Sequence, residues 1–291
     1  MAAFKEIKLR INSVTTTRKI TSAMKMVSAA KLNKAQRNIA GMLPYSTALH
    51  HVLHSLLLAE GDISTPLAVQ RAPQRVAIVV FSSDSSLAGA FNSNVIKELR
   101  KAVQQYKHLP QEQVLIYTIG KKVFEAARKQ GYTIAQNFEG LAPNPHYDTV
   151  SQLADELISL FNSKQLDQVE VIYQHFKNAG SQILTHEDFL PIQLSQVGTK
   201  KAAKAGLLAD YILEPSHAEL LAELLPKSLK LKLFAALLDS NASEHAARMI
   251  AMQTATDNAN ELVSDLTVEY NKSRQQAITN ELLDIVGGSL K

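Results

Sequence analysis

The sequence predicts an α/β protein: a long antiparallel coiled coil of N- and C-terminal helices with an inserted Rossmann-like α/β domain. Three observations predict it. Sixty residues from Lys227 to Val286 contain neither proline nor glycine and are rich in Ala, Leu, Glu, Lys and Gln, the strong helix formers. Residues 1–40 lack both breakers as well. Between the two, β-branched apolar runs alternate with helical stretches, the pattern of a largely parallel sheet. The expected segments are a coiled-coil helix over 1–60, a central α/β domain over 74–206, and a second coiled-coil helix over 208–287 that packs with 1–60.

In the N-terminal helix Phe4, Ile7, Ile11 and Val14 recur at three-four spacing. The phase slips across Thr15-Thr16-Thr17 and resumes at Ile20, Met24 and Val27. Pro44, just beyond Gly41, is a cheap place for a break or kink. In the centre, Val76–Phe81 (VAIVVF) reads as a strand buried on both faces, followed by a polar loop from Ser82 to Gly89. Then come a helix near 92–106, a strand at 114–119, a helix at 121–130 and a short strand near 132–136. A helix near 149–162 leads to strands at 169–175 and 182–190. The last strands are expected at an antiparallel edge of a doubly wound sheet.

The C-terminal helix would be roughly 90 Å long at about 1.5 Å per residue, whereas a compact chain of this size has a radius of gyration of about 19 Å. It must protrude, with its apolar side covered. Met249, Met252, Thr256, Ala259, Val263, Leu266 and Tyr270, then Ile278, Leu282 and Ile285, supply a heptad seam. Thr and Ala stand where a self-sufficient coiled coil places Leu or Ile. The N-terminal helix is therefore the expected partner, with further contacts from other proteins.

Charge agrees with that pairing. Residues 1–40 hold nine Lys or Arg against one acid, and residues 207–291 hold seven basic against twelve acidic residues. Exposed opposite charges favour a register while adding little stability each. The excess positive charge of the first helix predicts an acidic neighbour.

Composition excludes several chemistries. There is no cysteine, so disulfides, thiolate metal sites and thiol nucleophiles are out. No run approaches ~18 consecutive apolar residues, the length that spans a bilayer. A cytoplasmic, reducing setting is expected. The loop SSDSSLAGAFN carries Gly89 as its one glycine and offers neither phosphate cradle known for such sheets. His50, His51 and His54 form HHxxH, a spacing a metal could use, but no Glu stands between them and no third carboxylate is near in sequence. His186-Glu187-Asp188 reads as solvated surface. No nucleophile constellation stands out.

The termini are more specific. IKLRINSVTTTRKITSAMKMVSAAKLNKAQ (Ile7 to Gln36) resembles the N-terminal helix of the gamma subunits of F-type ATP synthases, bacterial type. ASEHAARMIAMQTATDNANELVSDLTVEYNKSRQQAITNELLDIVGGS (Ala242 to Ser289) resembles that family's C-terminal helix, and DYILEP (Asp210 to Pro215) its entry. The resemblance runs end to end. The basic, acid-poor N-terminus superficially suggests an organelle transit peptide. The family helix begins almost at Met1, so this stretch is expected in the mature fold.

The resemblance implies a central rotor shaft that transmits torque from a membrane ion-driven ring to a catalytic ring for ATP synthesis or hydrolysis. It implies no active site in this chain and no cofactor or metal. The implied partners are the alpha and beta subunits of the catalytic ring, the epsilon subunit and the membrane c-ring. Membrane contact comes only through partner subunits, on the cytoplasmic face of the bacterial inner membrane, and no nucleic acid is involved. Residue by residue, Met24 and Lys25 match the segment against the acidic lever of a beta subunit, and Arg248 a coupling residue. Arg274, Gln275, Thr279 and Glu281 match the polar set engaging the ring. Tyr211 and Glu214 match the foot near epsilon and the membrane ring.

One stretch departs from the family. Its loop usually reads S-D-R-G-L-C-G-G-[FL]-N, whereas this chain has Ser83-Asp84-Ser85-Ser86-Leu87-Ala88-Gly89-Ala90-Phe91-Asn92. Two alternatives stand beside the shaft. The first is a nucleic-acid binder using the basic helix, whose affinity would fall steeply with salt. The second is a nucleotide-using α/β enzyme, which nucleotides would stabilise thermally.

Overall fold

The computed structural model describes residues 2–59, 65–193, 214 and 216–289. Their elements run α1 (Ala2–Ala59), β1 (Val76–Phe81), α2 (Phe91–Gln105), β2 (Val114–Ile119), α3 (Lys121–Lys129), β3 (Thr133–Phe138), α4 (Tyr147–Asn162), β4 (Gln168–Asn178), β5 (Ser181–Leu190) and α5 (His217–Ser289). Short 3₁₀ turns at Pro66–Ala68 and Gln111–Gln113 complete the set. The chain divides into two compact units: residues 1–30 with 248–291, and residues 31–247.

The larger unit is built on one sheet in the order β3-β2-β1-β4-β5. Its first four strands are parallel and β5 is antiparallel to β4, as the alternating strand-helix pattern predicts. All six residues of β1 are buried, which is why they read as a continuous apolar run rather than an alternating one. On one face, Val76, Ile78 and Val80 pack with Val95, Leu99 and Ala102 of α2 and Val123 and Ala127 of α3. On the other, Ala77, Val79 and Phe81 pack with Leu153, Leu157 and Phe161 of α4. Leu49, Leu53 and Leu56 of α1 and Leu221, Leu225, Leu229 and Leu233 of α5 belong to the same core.

That core explains how both terminal helices carry a proline inside them. Helix α1 continues through Gly41 and Pro44 to Ala59, and α5 begins at His217, so Pro226 lies inside it. A proline inside a helix costs about 3 kcal/mol. Burying Leu221, Leu225, Leu229 and Leu233, each at most 5% exposed, returns about 1.5–3 kcal/mol apiece. Burial wins. Ser216 caps its first turn: its hydroxyl accepts from the Glu219 amide at 3.3 Å. The Ser216-His217-Ala218-Glu219 spacing is that of a capping box.

The loop after β1 is spent on the fold itself. The Asp84 carboxylate accepts from the Lys121 amide at 2.9 Å and the Gly140 amide at 3.0 Å. It therefore occupies the positive N-terminal end of α3 with a charge of the chain's own. The Ser82 hydroxyl accepts from the Val123 amide at 3.0 Å. Gly120 has φ +100°, and a Cβ there would lie 2.2 Å from the Ser82 carbonyl oxygen. At the switch in strand order between β1 and β4, buried Gln174 donates to the Phe91 carbonyl at 2.8 Å. The crevice where such sheets take ligands is crossed by this bond.

His186 differs from expectation. It stands in β5, half-buried, with Nε2 2.8 Å from Glu170 and Nδ1 3.5 Å from Glu98. Glu170 is 3% exposed and also accepts from the Tyr106 hydroxyl. The hydrogen bond to Glu170 raises the imidazole pKa, burial opposes it, and the charges of Glu170 and Glu98 raise it further. A buried carboxylate needs such a partner, so this histidine is structural rather than solvated. Among the described residues no group of three or more His, Asp or Glu has metal-ligating geometry. His50 has its pKa lowered by burial and by the charges of Lys232 and His51.

Candidate functional surface: the paired terminal helices

The smaller unit joins α1 through residue 30 to α5 from Arg248 onward. Thr21 Oγ1 lies 2.8 Å from Thr256 Oγ1, and Arg18 Nη1 donates to Asn260 Oδ1 at 3.2 Å. Residue numbers rise on one helix as they fall on the other, so the pair is antiparallel.

The seam on α1 is unbroken. Ile7, Ile11, Val14, Arg18, Thr21, Lys25 and Ser28 are each buried or half-buried at strict three-four spacing. The expected phase slip at Thr15-Thr16-Thr17 is therefore absent. Ile20 and Val27, assigned to the seam by their apolarity, are 55% and 56% exposed. Polar side chains take the inward positions instead: Thr21 is 8% and Ser28 3% exposed. Ser28 bonds back to the Met24 carbonyl at 2.7 Å, and Thr256 to the Met252 carbonyl at 2.7 Å. These internal bonds satisfy hydroxyls that would otherwise be costly to bury. The side chain of Phe4 lies outside the described residues.

On α5, Met249, Met252, Thr256, Ala259, Val263, Leu266 and Tyr270 face inward as expected. The pattern then continues through half-buried Ser273 and Ala277, not Ile278, Leu282 and Ile285, which are 49%, 57% and 67% exposed. The pairing explains this. Thr21 with Thr256 and Arg18 with Asn260 set a register in which Ala2 falls level with about Gln275 on the 1.5 Å per-residue rise common to both helices. Beyond that level α5 has no described partner from α1.

The site residues expected from the resemblance fall into separate groups. Met24 and Lys25 are half-buried on α1, with Lys25 in the seam itself. Arg248 is 8% exposed and level with Ala29 and Ala30. Arg274, Gln275, Thr279 and Glu281 are all exposed near the far end of α5. Arg274 and Glu281, seven apart, share a face with Ile278. Thr279 donates to the Gln275 carbonyl at 2.9 Å, about 100° further round. The Met24–Lys25 pair and the Arg274–Glu281 group are not brought together. Glu214 is exposed, and Tyr211 lies outside the described residues.

The sequence reasoning missed the outward apolar residues. Leu9, Ile20, Met26 and Val27 are 55% to 69% exposed. Leu9, Ile20 and Val27 are 11 and 7 residues apart, close to whole turns at 3.6 residues each, so they form one stripe on the outer face. Lys5, Lys8, Arg10 and Lys19 are exposed on the same helix. The signal that would have found the stripe is the strict heptad itself, followed through Arg18, Thr21 and Lys25 despite their polarity. Among its described residues the rod has no cluster of His, Asp or Glu that could hold a metal ion. It offers a surface of apolar and cationic groups, the kind that marks contact with another protein.

Comparison with known proteins agrees over the whole length. The family model described as ATP synthase matches residues 3–290. The ATP synthase gamma chain of Bacteroides fragilis is 55% identical over 290 residues, covering 100% of both chains. That of Phocaeicola vulgatus is 53% identical, with the same coverage. The fold is shared with a chain in the cryo-EM structure of the rotor of Euglena gracilis mitochondrial ATP synthase. The TM-score is 0.65 at 19% identity, covering 95% of this chain and 99% of that one. The polar-seamed helix pair at the termini and the full-length identity lead to one conclusion: this chain belongs to the ATP synthase family, among its gamma chains.

Proposed function

We infer that the chain is the central rotor shaft of an F-type ATP synthase, turning inside a catalytic ring and carrying torque between that ring and a membrane ring. The observation that carries this reading is the exposed apolar stripe of Leu9, Ile20 and Val27 on a helix pair whose own seam is polar. A rod bound only to itself would bury Ile20 and Val27 and expose Thr21 and Ser28. Full-length identity to ATP synthase gamma chains supports the same reading.

In this reading the chain has no active site; catalysis belongs to the ring, and the shaft acts by presenting different surfaces to it as it turns. Met24, Lys25 and Arg248 engage the ring along the rod, and Arg274, Gln275, Thr279 and Glu281 engage it near the far end. Tyr211 and Glu214 lie at the foot, near an epsilon subunit and the c-ring. The chain is peripheral, at the cytoplasmic face of the inner membrane, held there by its partners during ion transport. No helix among the described residues is long and apolar enough to cross a membrane.

The test is co-purification. A tagged chain, extracted gently from membranes of its own cells and weighed by native mass spectrometry, should appear once with three alpha and three beta subunits and ATPase activity. A chain recovered alone, or with nucleic acid, would contradict the proposal.

A further inference from the structure

The larger unit contains a cavity that the shaft reading does not use. Lys31, Lys34 and Asn38 of α1, the segment 143–146 before α4, and Asn241 and His245 of α5 enclose about 410 Å³. Small-molecule sites run about 300–1,000 Å³. Lys31, Lys34 and Asn38 are exposed at the mouth, and His245 is 4% exposed. Asn241 donates to the Ala142 carbonyl at 2.6 Å, tying the 143–146 segment to α5. His146 stands immediately before the N-terminus of α4, whose dipole adds to the positive field.

What distinguishes this cavity is the sign of its lining. Two ammonium groups, two imidazoles and three side-chain amides line it, and none of its lining residues is Asp or Glu. The cavity of about 220 Å³ beside His50 and Lys232 includes Glu187 and Asp188, which offset its cations. The cavity of about 250 Å³ beside Tyr106 is lined mainly by Val103, Leu109, Val114 and Ile116. Of these three, the first alone combines adequate volume with cationic donors and a lining without carboxylates. Charge-assisted hydrogen bonds from ammonium groups suit an oxyanion with several charges.

We propose that this cavity is a binding site for a small multivalent phosphate-class anion, held by Lys31 and Lys34 at its mouth and assisted by Asn38 and His245. The site lies wholly within the larger unit and needs no partner subunit to complete it. The test is calorimetric titration of the purified full chain with sodium pyrophosphate at fixed ionic strength, with citrate as a control of similar charge. One saturable site is expected, weakened at least about tenfold in the Lys31→Gln/Lys34→Gln double variant with its circular dichroism unchanged. Asn38→Asp, which places a negative charge at the mouth, should weaken it too. Absence of saturable binding, equal affinity in these variants, or equal affinity for citrate would overturn the proposal.

Discussion

The hydroxyls of Thr21 and Thr256 meet at 2.8 Å across the seam of the terminal helices, where a self-sufficient coiled coil would place aliphatic side chains. Thr256 also reaches the Met252 carbonyl and Thr21 the Arg18 carbonyl, so either hydroxyl can donate without leaving the other unsatisfied. The pair fixes register without adding adhesion. Replacing both partners by apolar groups of the same shape is close to neutral. The Thr21→Val/Thr256→Val double variant should therefore unfold within about 1 kcal/mol of the parent in urea, whereas Thr21→Ala should lose about 1 kcal/mol. A Val/Val double variant that loses well over about 1 kcal/mol would show instead that the bond is a net stabiliser.

Outward apolar side chains should behave differently from inward ones. Ile20→Ser with Val27→Ser removes two side chains more than half exposed, so the isolated chain should change by no more than about 0.5 kcal/mol. Coupling of ATP hydrolysis to rotation in the assembled complex should nonetheless fall. A large loss of stability in the isolated chain would mean that these residues are packed within it.

Two glycines should respond with opposite signs. Gly120→Ala forces a left-handed backbone and a 2.2 Å approach to the Ser82 carbonyl oxygen, and should cost about 3 kcal/mol or more. Gly41 lies inside α1, and a Cβ added there would meet nothing within 4 Å, so Gly41→Ala should gain about 0.5–1 kcal/mol. Denaturant unfolding of both variants checks the pair.

Stability should depend on pH through His186. Its folded pKa is raised, chiefly by the hydrogen bond to Glu170. The stabilisation is fully present below the unfolded value, about 6.5, and is lost as pH rises through the raised folded value. The parent should therefore lose thermal stability relative to His186→Gln as pH climbs from below about 6.5 through the raised folded value. Parallel curves for the two proteins over that range would refute the link.

The elements were legible where one signal was strong. β1 was legible because six buried apolar residues run together, and the body of α5 because Lys227 to Val286 holds no breaker. Its passage across Pro226, inside the segment 208–287 expected for this helix, follows from leucine burial that overrides local propensity. The seam of α1 was misread at Ile20 and Val27. Apolarity was taken as the sign of burial, while Arg18, Thr21, Lys25 and Ser28 held the inward positions. Of the candidate site, Arg248 and the Arg274–Glu281 group were legible only through resemblance, since charged residues on a helix carry no intrinsic mark of contact. His186 was hidden because its partners Glu98 and Glu170 lie far from it in sequence and meet it only in the folded sheet.

The central claim is that this chain turns. Because it contains no cysteine, a single His108→Cys change at an exposed position gives a unique attachment for a bead or gold particle. In a complex with its own alpha and beta subunits fixed to glass, the particle should rotate in one direction on ATP addition, stop when ATP is removed, and turn at a rate set by hydrolysis. Sustained ATP hydrolysis with the particle only jittering about a fixed angle would contradict the account.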